Sequence, residues 1–411
     1  MRVFYGWKMV AAACGLQFLQ AALLHQAFGA YVAVLNSELG WSKTALSGAA
    51  ALQSVEAALI GPLLGWVVDR FGAQGMIRAG IVVFGAGFLM LSRIDTLAGF
   101  YVAVVVISLG SSFCGYFPLT VAVVQWFEKK RARALSAMSL GLAVGGVFVP
   151  AVAWSIQSFG WRTAAVGSGV LAIAAGWPLA RVFRRRPEDV GETVDGEPAA
   201  TGPAQGAGDE DRAGQREFTA REALRTSAFW LLAVGHGLAL LVVSAVNVHA
   251  ITHMKNSLGY TVAQASLVIT LMTASQIGGV GLGWLVGDRF EKRRVAAICM
   301  LMHAAGLLML TYAQGVAALL AFSVLHGVAW GLRGPFMQAI RADYFGRRSI
   351  GMIMGLSAAV IALGQVGGPM IAGVLGDATG NYRAGFTVLA AMAGLGSLTF
   401  LLARPPRAPS P

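Results

Sequence analysis

The chain has 411 residues, with 31 Lys and Arg against 19 Asp and Glu, so that only 12% are charged and the formal net charge is +12. Apolar residues make up 56%, and glycine occurs 53 times. Soluble domains carry roughly 25% charged residues, so this composition excludes a soluble enzyme and a disordered chain and argues against a nucleic-acid binder. A polytopic membrane protein remains.

A bilayer core requires roughly 20 apolar residues per helix. The sequence supplies twelve such runs, predicted at about 7–35, 45–68, 75–93, 97–127, 134–157, 163–183, 228–254, 262–287, 295–313, 316–343, 350–376 and 384–403. The first run carries Gln17, Gln20, His25 and Gln26; a cleavable signal core is shorter and lacks such residues, so this run is expected to remain as a span. Residues 184–227 are rich in Gly, Pro, Glu and Asp, cannot bury a core, and are expected to form a flexible linker. The linker ends in Thr219-Ala220-Arg221-Glu222, a capping box that predicts a short surface helix. The expected domains are therefore a six-helix bundle over 1–183, a linker over 184–227 and a second six-helix bundle over 228–411. Cys14, Cys114 and Cys299 lie inside apolar runs without metal-ligand spacing and read as free, buried thiols.

Basic residues fix the expected orientation. With both termini cytoplasmic, 25 of the 31 Lys and Arg fall on the cytoplasmic side, Arg341 among them. Five (Lys43, Arg93, Arg162, Lys255 and Arg383) fall on the other side, and Arg333 is left within the membrane. The positive charge thus reads as a topogenic signal of an integral plasma-membrane protein (the inner membrane in a Gram-negative cell), not as a binding patch for nucleic acid.

The two halves repeat. Leu39-Gly40-Trp41-Ser42 recurs as Leu258-Gly259-Tyr260-Thr261, and Asp69-Arg70-Phe71 as Asp288-Arg289-Phe290, both at an offset of 219. Pro150 and Pro369 share that offset, and Pro118 and Pro335 are 217 apart. Six spans per copy give the halves the same orientation, related by an axis along the membrane normal, with a substrate site expected between them near the midplane. The predicted fold class is all-α integral membrane: twelve transmembrane helices in two pseudo-symmetric six-helix bundles.

The stretch Gly61-Pro-Leu-Leu-Gly65-Trp-Val-Val-Asp69-Arg70-Phe-Gly72 resembles motif A of the major facilitator superfamily, and Gly283-Trp-Leu-Val-Gly-Asp288-Arg289-Phe resembles a second copy. The basic residue usual just after Gly72 is replaced by Ala73 and Gln74. Within the superfamily, Tyr5-Gly6-Trp7, Gly40-Trp41-Ser42, Tyr116-Phe-Pro118 and Asp343-Tyr-Phe-Gly346-Arg347-Arg348 are similar to the monocarboxylate and oxalate/formate transporter group. The resemblance implies that Gly65, Asp69, Arg70 and Gly72, with Asp288 and Arg289, form a gating motif that latches the halves in the outward-facing state. The alternative is a tight turn carrying topogenic charges. Two departures stand out: Gln26 occupies the place of the group's usual span 1 Lys, and Ser275 and Gly279 those of its span 8 Asp and Arg.

Two formal charges are predicted deep in spans, Glu56 and Arg333. A charge at the bilayer centre costs about 2.5–3.5 kcal/mol on insertion scales, so it faces a cavity or a partner. His326, Trp330, Arg333 and Met337 follow at spacings of 4, 3 and 4, on one helical face. The resemblance implies that spans 1, 4, 7 and 10 line the cavity, which brings that face, Tyr116, His25, Gln26, His236 and Asn247 into the candidate substrate site. Arg333 and Tyr116, related by the 217 offset, suit a carboxylate as a bidentate cation and a phenol donor; the alternative for Arg333 is a cap on carbonyls at the Gly331–Pro335 break. Glu56 reads either as a proton-exchanging carboxyl or as a structural buried acid. His249 and His253, four apart, lack a third metal ligand. The glycines of spans 5 and 11 read as close packing, as a hinge, or as both.

The expected function is secondary transport of a small organic anion by alternating access, with a proton as the coupling candidate, by a monomer that is not an enzyme and holds no cofactor. No GxxxxGK[ST] loop supports ATP drive. The alternative is an exporter of hydrophobic or cationic compounds with Glu56 as its acid.

Overall fold

A computed structural model describes residues 4–25, 27–41, 43–145, 148–196 and 217–407, and among these the regular structure is helical throughout. The chain divides into two compact units, Met1–Lys129 with Ala137–Ala204, and Lys130–Ser136 with Gln205–Pro411. Ten helices among the described residues are long and apolar enough to cross a membrane. The architecture is that of two six-helix halves.

The first unit holds α1 (Tyr5–Gln20), α2 (Phe28–Leu39), α3 (Lys43–Phe71), α4 (Ala73–Leu91), α5 (Leu97–Cys114), α6 (Tyr116–Val124), most of α7 (Arg131–Gly145), α8 (Val149–Phe159) and α9 (Trp161–Val182). Two of the predicted spans are interrupted among the described residues. The first continues from α1 through a π-turn, Ala21–His25, before α2 begins. The fourth breaks at Gly115, which is extended at φ −90° and ψ −158°. Pro118 lies three residues on, and a proline's missing N–H and its steric demand on the preceding residue both favour such a break. Gln20 Nε2 donates to Cys114 Sγ at 3.0 Å and to the Ser111 carbonyl at 3.4 Å, satisfying acceptors next to the break.

The second unit holds α10 (Ala220–Leu224), α11 (Ser227–Leu258), α12 (Val262–Val286), α13 (Lys292–Thr311), α14 (Val316–Phe345), α15 (Ile350–Thr379) and α16 (Arg383–Leu402). The capping box forms as predicted: Glu222 N donates to Thr219 Oγ1 at 3.3 Å and Thr219 N to Glu222 Oε2 at 2.8 Å. Within this unit α11 packs on α15 and α16, and α14 packs on α12 and α13.

The sequence repeat reappears as repeated packing inside each unit. Gly40 and Gly259, 219 apart, end α2 and α11 in the left-handed region at φ 66° and 76°, where glycine pays no Cβ penalty. A Cβ built on Gly145 would lie 2.8 Å from the Phe18 carbonyl, and one on Gly364 would lie 2.0 Å from the Gly237 carbonyl. Both partners in these two contacts are again 219 apart, so α7 meets α1 as α15 meets α11. Backbones approach this closely only where side chains are absent.

The linker departs from expectation at its ends. Pro187–Val190 forms a 3₁₀ turn. Asp195, at φ 60°, accepts from the amides of Glu128 and Lys129 at 3.1 and 2.8 Å, and the Tyr5 amide donates to Glu192 at 2.9 Å. At the other end Phe218 packs edge-on against Phe345, and the Arg347 amide donates to Glu217 at 3.1 Å. Polar composition forbids a core but not carboxylates that satisfy backbone amides far away in sequence.

Candidate functional site

The helix α14 packs chiefly on α12 and α13. Gly327 and Gly331 press against α12, where added Cβ atoms would lie 2.2 Å from the Met272 carbonyl and 2.0 Å from the Gln276 carbonyl. That contact fixes the rotation of α14. His326 and Arg333, seven residues apart and on a common face, are both buried, and Arg333 is 1% exposed. His303 on α13 and His236 on α11 are buried as well. A guanidinium is thus enclosed near the middle of a long apolar helix.

Several expected cavity residues turn elsewhere. His326 meets His303, Nδ1 to Nδ1 at 3.1 Å, and both rings are fully buried; helix–helix packing, not a ligand space, takes its polar edge. His303 was missed because a single histidine in an apolar run carries no periodic signal of its own. His236 accepts through Nδ1 from both Nη atoms of Arg341, at 3.3 and 3.2 Å. Since Arg is always a donor, this His236 ring carries its proton on Nε2.

Arg341 lies one turn before the end of α14. Expected among interfacial topogenic residues, it is 2% exposed and also donates to Gln338 Oε1 at 3.2 Å and to the Met337 and Leu232 carbonyls. A span-end position permits either snorkelling or inward packing, and here α11 supplies the acceptors. Asn247 is exposed while His236 is buried, so the two do not share one environment despite their spacing. Trp330 is half-buried. His249 and His253 turn their Nε2 atoms to the Pro369 and Leu310 carbonyls, at 3.0 and 3.2 Å, as structural histidines do.

In the first unit, Tyr116 opens α6 directly after the Gly115 break and is half-buried. Glu56, on α3, accepts from Ser112 Oγ at 3.3 Å. Its other oxygen is buried without a hydrogen-bond partner among the described residues. His25 closes the π-turn; its side chain, and Gln26 altogether, lie outside the described residues. In the first motif Gly65 is buried, Asp69 is half-buried, and Gly72 caps α4 at φ 82°. Arg70 is exposed and lies over the rings of Trp66 and Phe71, 5.8 and 5.7 Å from their centroids.

The second motif is ionic. Asp288 accepts from the Ala132 and Arg133 amides at 3.1 and 3.3 Å, capping the first turn of α7, which clusters with the second unit. Lys292 bridges Asp288 at 3.0 Å and Asp343 at 2.8 Å, and Asp343 also pairs with the buried Arg131. A carboxylate on a helix N-terminus satisfies orphan amides and meets the positive end of the dipole. Arg289 is exposed. Asp288→Asn is expected to lower stability by about 1–2 kcal/mol, read as a lower thermal midpoint in detergent, with Arg289→Ala close to wild type.

Comparison with known proteins places this geometry. The profile of the Major Facilitator Superfamily matches residues 13–252 and 232–411. Monocarboxylate transporter 13 of Bos taurus is 25% identical over 415 residues, covering 97% of this chain and 89% of the relative. The MFS-type transporter pynF of Aspergillus niger is 24% identical over 378 residues, covering 90% and 81%. Among solved structures, the human organic anion transporter MFSD10 superposes with a TM-score of 0.73 at 14% identity, covering 96% of this chain and 99% of that one. The proton:xylose symporter XylE gives 0.74 at 15%, covering 97% and 96%. At these identities the structures speak to the fold alone. The profile, however, spans nearly all of the described helices, and with it the chain belongs to the Major Facilitator Superfamily, as a secondary transporter and not an enzyme.

Proposed function

We propose that the protein moves a small organic anion, a carboxylate, across the plasma membrane by alternating access, with both termini cytoplasmic. The observation that carries this reading is Arg333: a cation 1% exposed at the middle of a membrane span. Intramembrane charge is expensive, and it persists where function uses it. A guanidinium holds a carboxylate by two parallel charge-assisted hydrogen bonds, and a phenol such as Tyr116 adds a neutral donor. The curated relatives named as monocarboxylate transporters support the same substrate class. Because Arg333 is enclosed in this conformation, a substrate reaches it only after rearrangement, as a carrier requires.

Proton coupling completes the proposal. Glu56, with one carboxylate oxygen hydrogen-bonded to Ser112 and the other enclosed, is the first unit's candidate for that proton. The test is uptake of labelled mono- and dicarboxylates into proteoliposomes of the purified protein, alongside a lipophilic cation. Saturable carboxylate uptake is the expected result. Transport of the cation with no carboxylate moved overturns the reading in favour of an exporter of cationic compounds.

A further inference from the structure

The contact between His303 and His326 has a proton inventory that a packing role leaves unexplained. The rings meet at a centroid distance of 4.5 Å and an angle of 69°, and neither is reached by solvent. An imidazole pair joined Nδ1 to Nδ1 shares one proton: one ring donates, and the other accepts through a bare Nδ1. The accepting ring therefore carries its own proton on Nε2, while the donating ring has a bare Nε2. Both Nε2 atoms are buried without a hydrogen-bond partner among the described residues. The pair thus holds one orphaned donor and one orphaned acceptor, each a desolvation cost without a compensating bond. A clamp between helices needs neither, as Ser323 demonstrates nearby. Its hydroxyl is 2.9 Å from the Val268 carbonyl of α12 and 2.9 Å from its own Leu319 carbonyl, with no atom left over.

The charged surroundings of the pair are sparse. Arg333 follows His326 by seven residues on one face of α14, about 10 Å along the helix axis. Cys299 lies one turn before His303 on α13, and His236 of α11 is held by Arg341. The helix α12 contains no ionisable side chain, and α16 contains only Arg383, at its first residue. An anion bound at Arg333 offsets its fixed positive charge, and that change reaches the pair through low-dielectric protein.

We propose that the His303–His326 dyad in the second unit, in place of Glu56, carries the coupled proton and is loaded together with an anion at Arg333, so that carboxylate and proton move as a neutral pair. The proposal rests on the organic-anion reading given above. On loading, the bare Nε2 lone pair takes a proton from water, and the positive charge is shared across the Nδ1–H···Nδ1 bond. On release the same N–H bond breaks and the proton returns to water on the other side. A coupling site open to water in every state would leak protons; enclosure of both rings in the state described here meets that requirement.

His303→Asn tests this. Asparagine retains a polar group where Nδ1 lies but takes up no proton. Two measurements on the same proteoliposomes separate the roles: exchange of labelled for unlabelled carboxylate without a gradient, and accumulation driven by an inward gradient of one pH unit. One-to-one coupling supports about tenfold accumulation under that gradient. The expected result is near-wild-type exchange in His303→Asn with its accumulation ratio reduced to about one, and the same loss of gradient drive in His326→Asn. Retained gradient-driven accumulation in His303→Asn overturns the proposal alone, as does parallel loss of exchange and accumulation, which marks a structural clamp. No carboxylate exchange in the wild type overturns the transport reading and the proposal with it.

Discussion

Arg333→Ala is expected to reduce carboxylate uptake by roughly 30-fold to several thousand-fold. Truncating one partner of a buried, hydrogen-bonded charge pair costs about 2–5 kcal/mol, and each 1.4 kcal/mol is about a factor of ten. The variant loses both the charge and the planar fork that matches a carboxylate. Arg333→Lys retains the charge as a point donor without the fork, so it is expected to fall between wild type and alanine. Initial rates of labelled-carboxylate uptake check the order, and ligand-induced thermal stabilisation of the purified protein checks that binding itself is lost. Unchanged uptake in Arg333→Ala removes the anion role from this residue and leaves it a structural cation of α14.

Gly368→Ala is expected to be the most destabilising of the small substitutions on α15. Its Cβ would lie 1.9 Å from the Leu241 carbonyl oxygen. The obstruction is backbone, so no rotamer change relieves it, and α11 and α15 must separate. Forced overpacking costs about 1–3 kcal/mol; the partner being main chain places this variant at the upper end. The neighbouring Gly367→Ala supplies the control, because the nearest atom, Leu241 Cδ1, lies 3.9 Å from the built Cβ. That variant is expected within about 0.5 kcal/mol of wild type. Thermal unfolding in detergent distinguishes the two. A slower transport rate in Gly367→Ala at unchanged stability would assign the bending role to Gly367, and close packing to Gly364 and Gly368.

Much of the fold was legible in the sequence because its signals are local. Hydropathy marks helices one at a time, and the 219-residue offset seen in Leu39-Gly40 and Leu258-Gly259 reappears as matched left-handed caps and matched helix contacts. Thr219 and Glu222 form their reciprocal cap because both partners lie within one turn. The interruption at Gly115 was less legible: Pro118 hinted at it, but Gln20, from 91 to 94 residues away, completes the hydrogen bonding there. Of the candidate site, Arg333 was legible as a deep charge. Its companions were not, and His326, placed by spacing on the Arg333 face and in the substrate site by the family resemblance, meets His303 instead.

By itself the sequence determined that the chain is a membrane protein of repeated six-helix halves, that Arg333 lies deep in a long apolar helix, and that a short capped helix precedes the second half. Only the tertiary structure decided that Arg341 turns inward to His236, 105 residues away, that His303 and His326 pair across 23 residues, and that Asp288 caps the first turn of α7. The physical reason lies in the solvent. Lipid tails are as apolar as leucine, so a membrane helix needs no polar face to mark which side meets protein and which meets the bilayer. Its rotation is set by small residues such as Gly327 and Gly331 and by the few polar groups that find one another, and those choices exist only once the helices are packed.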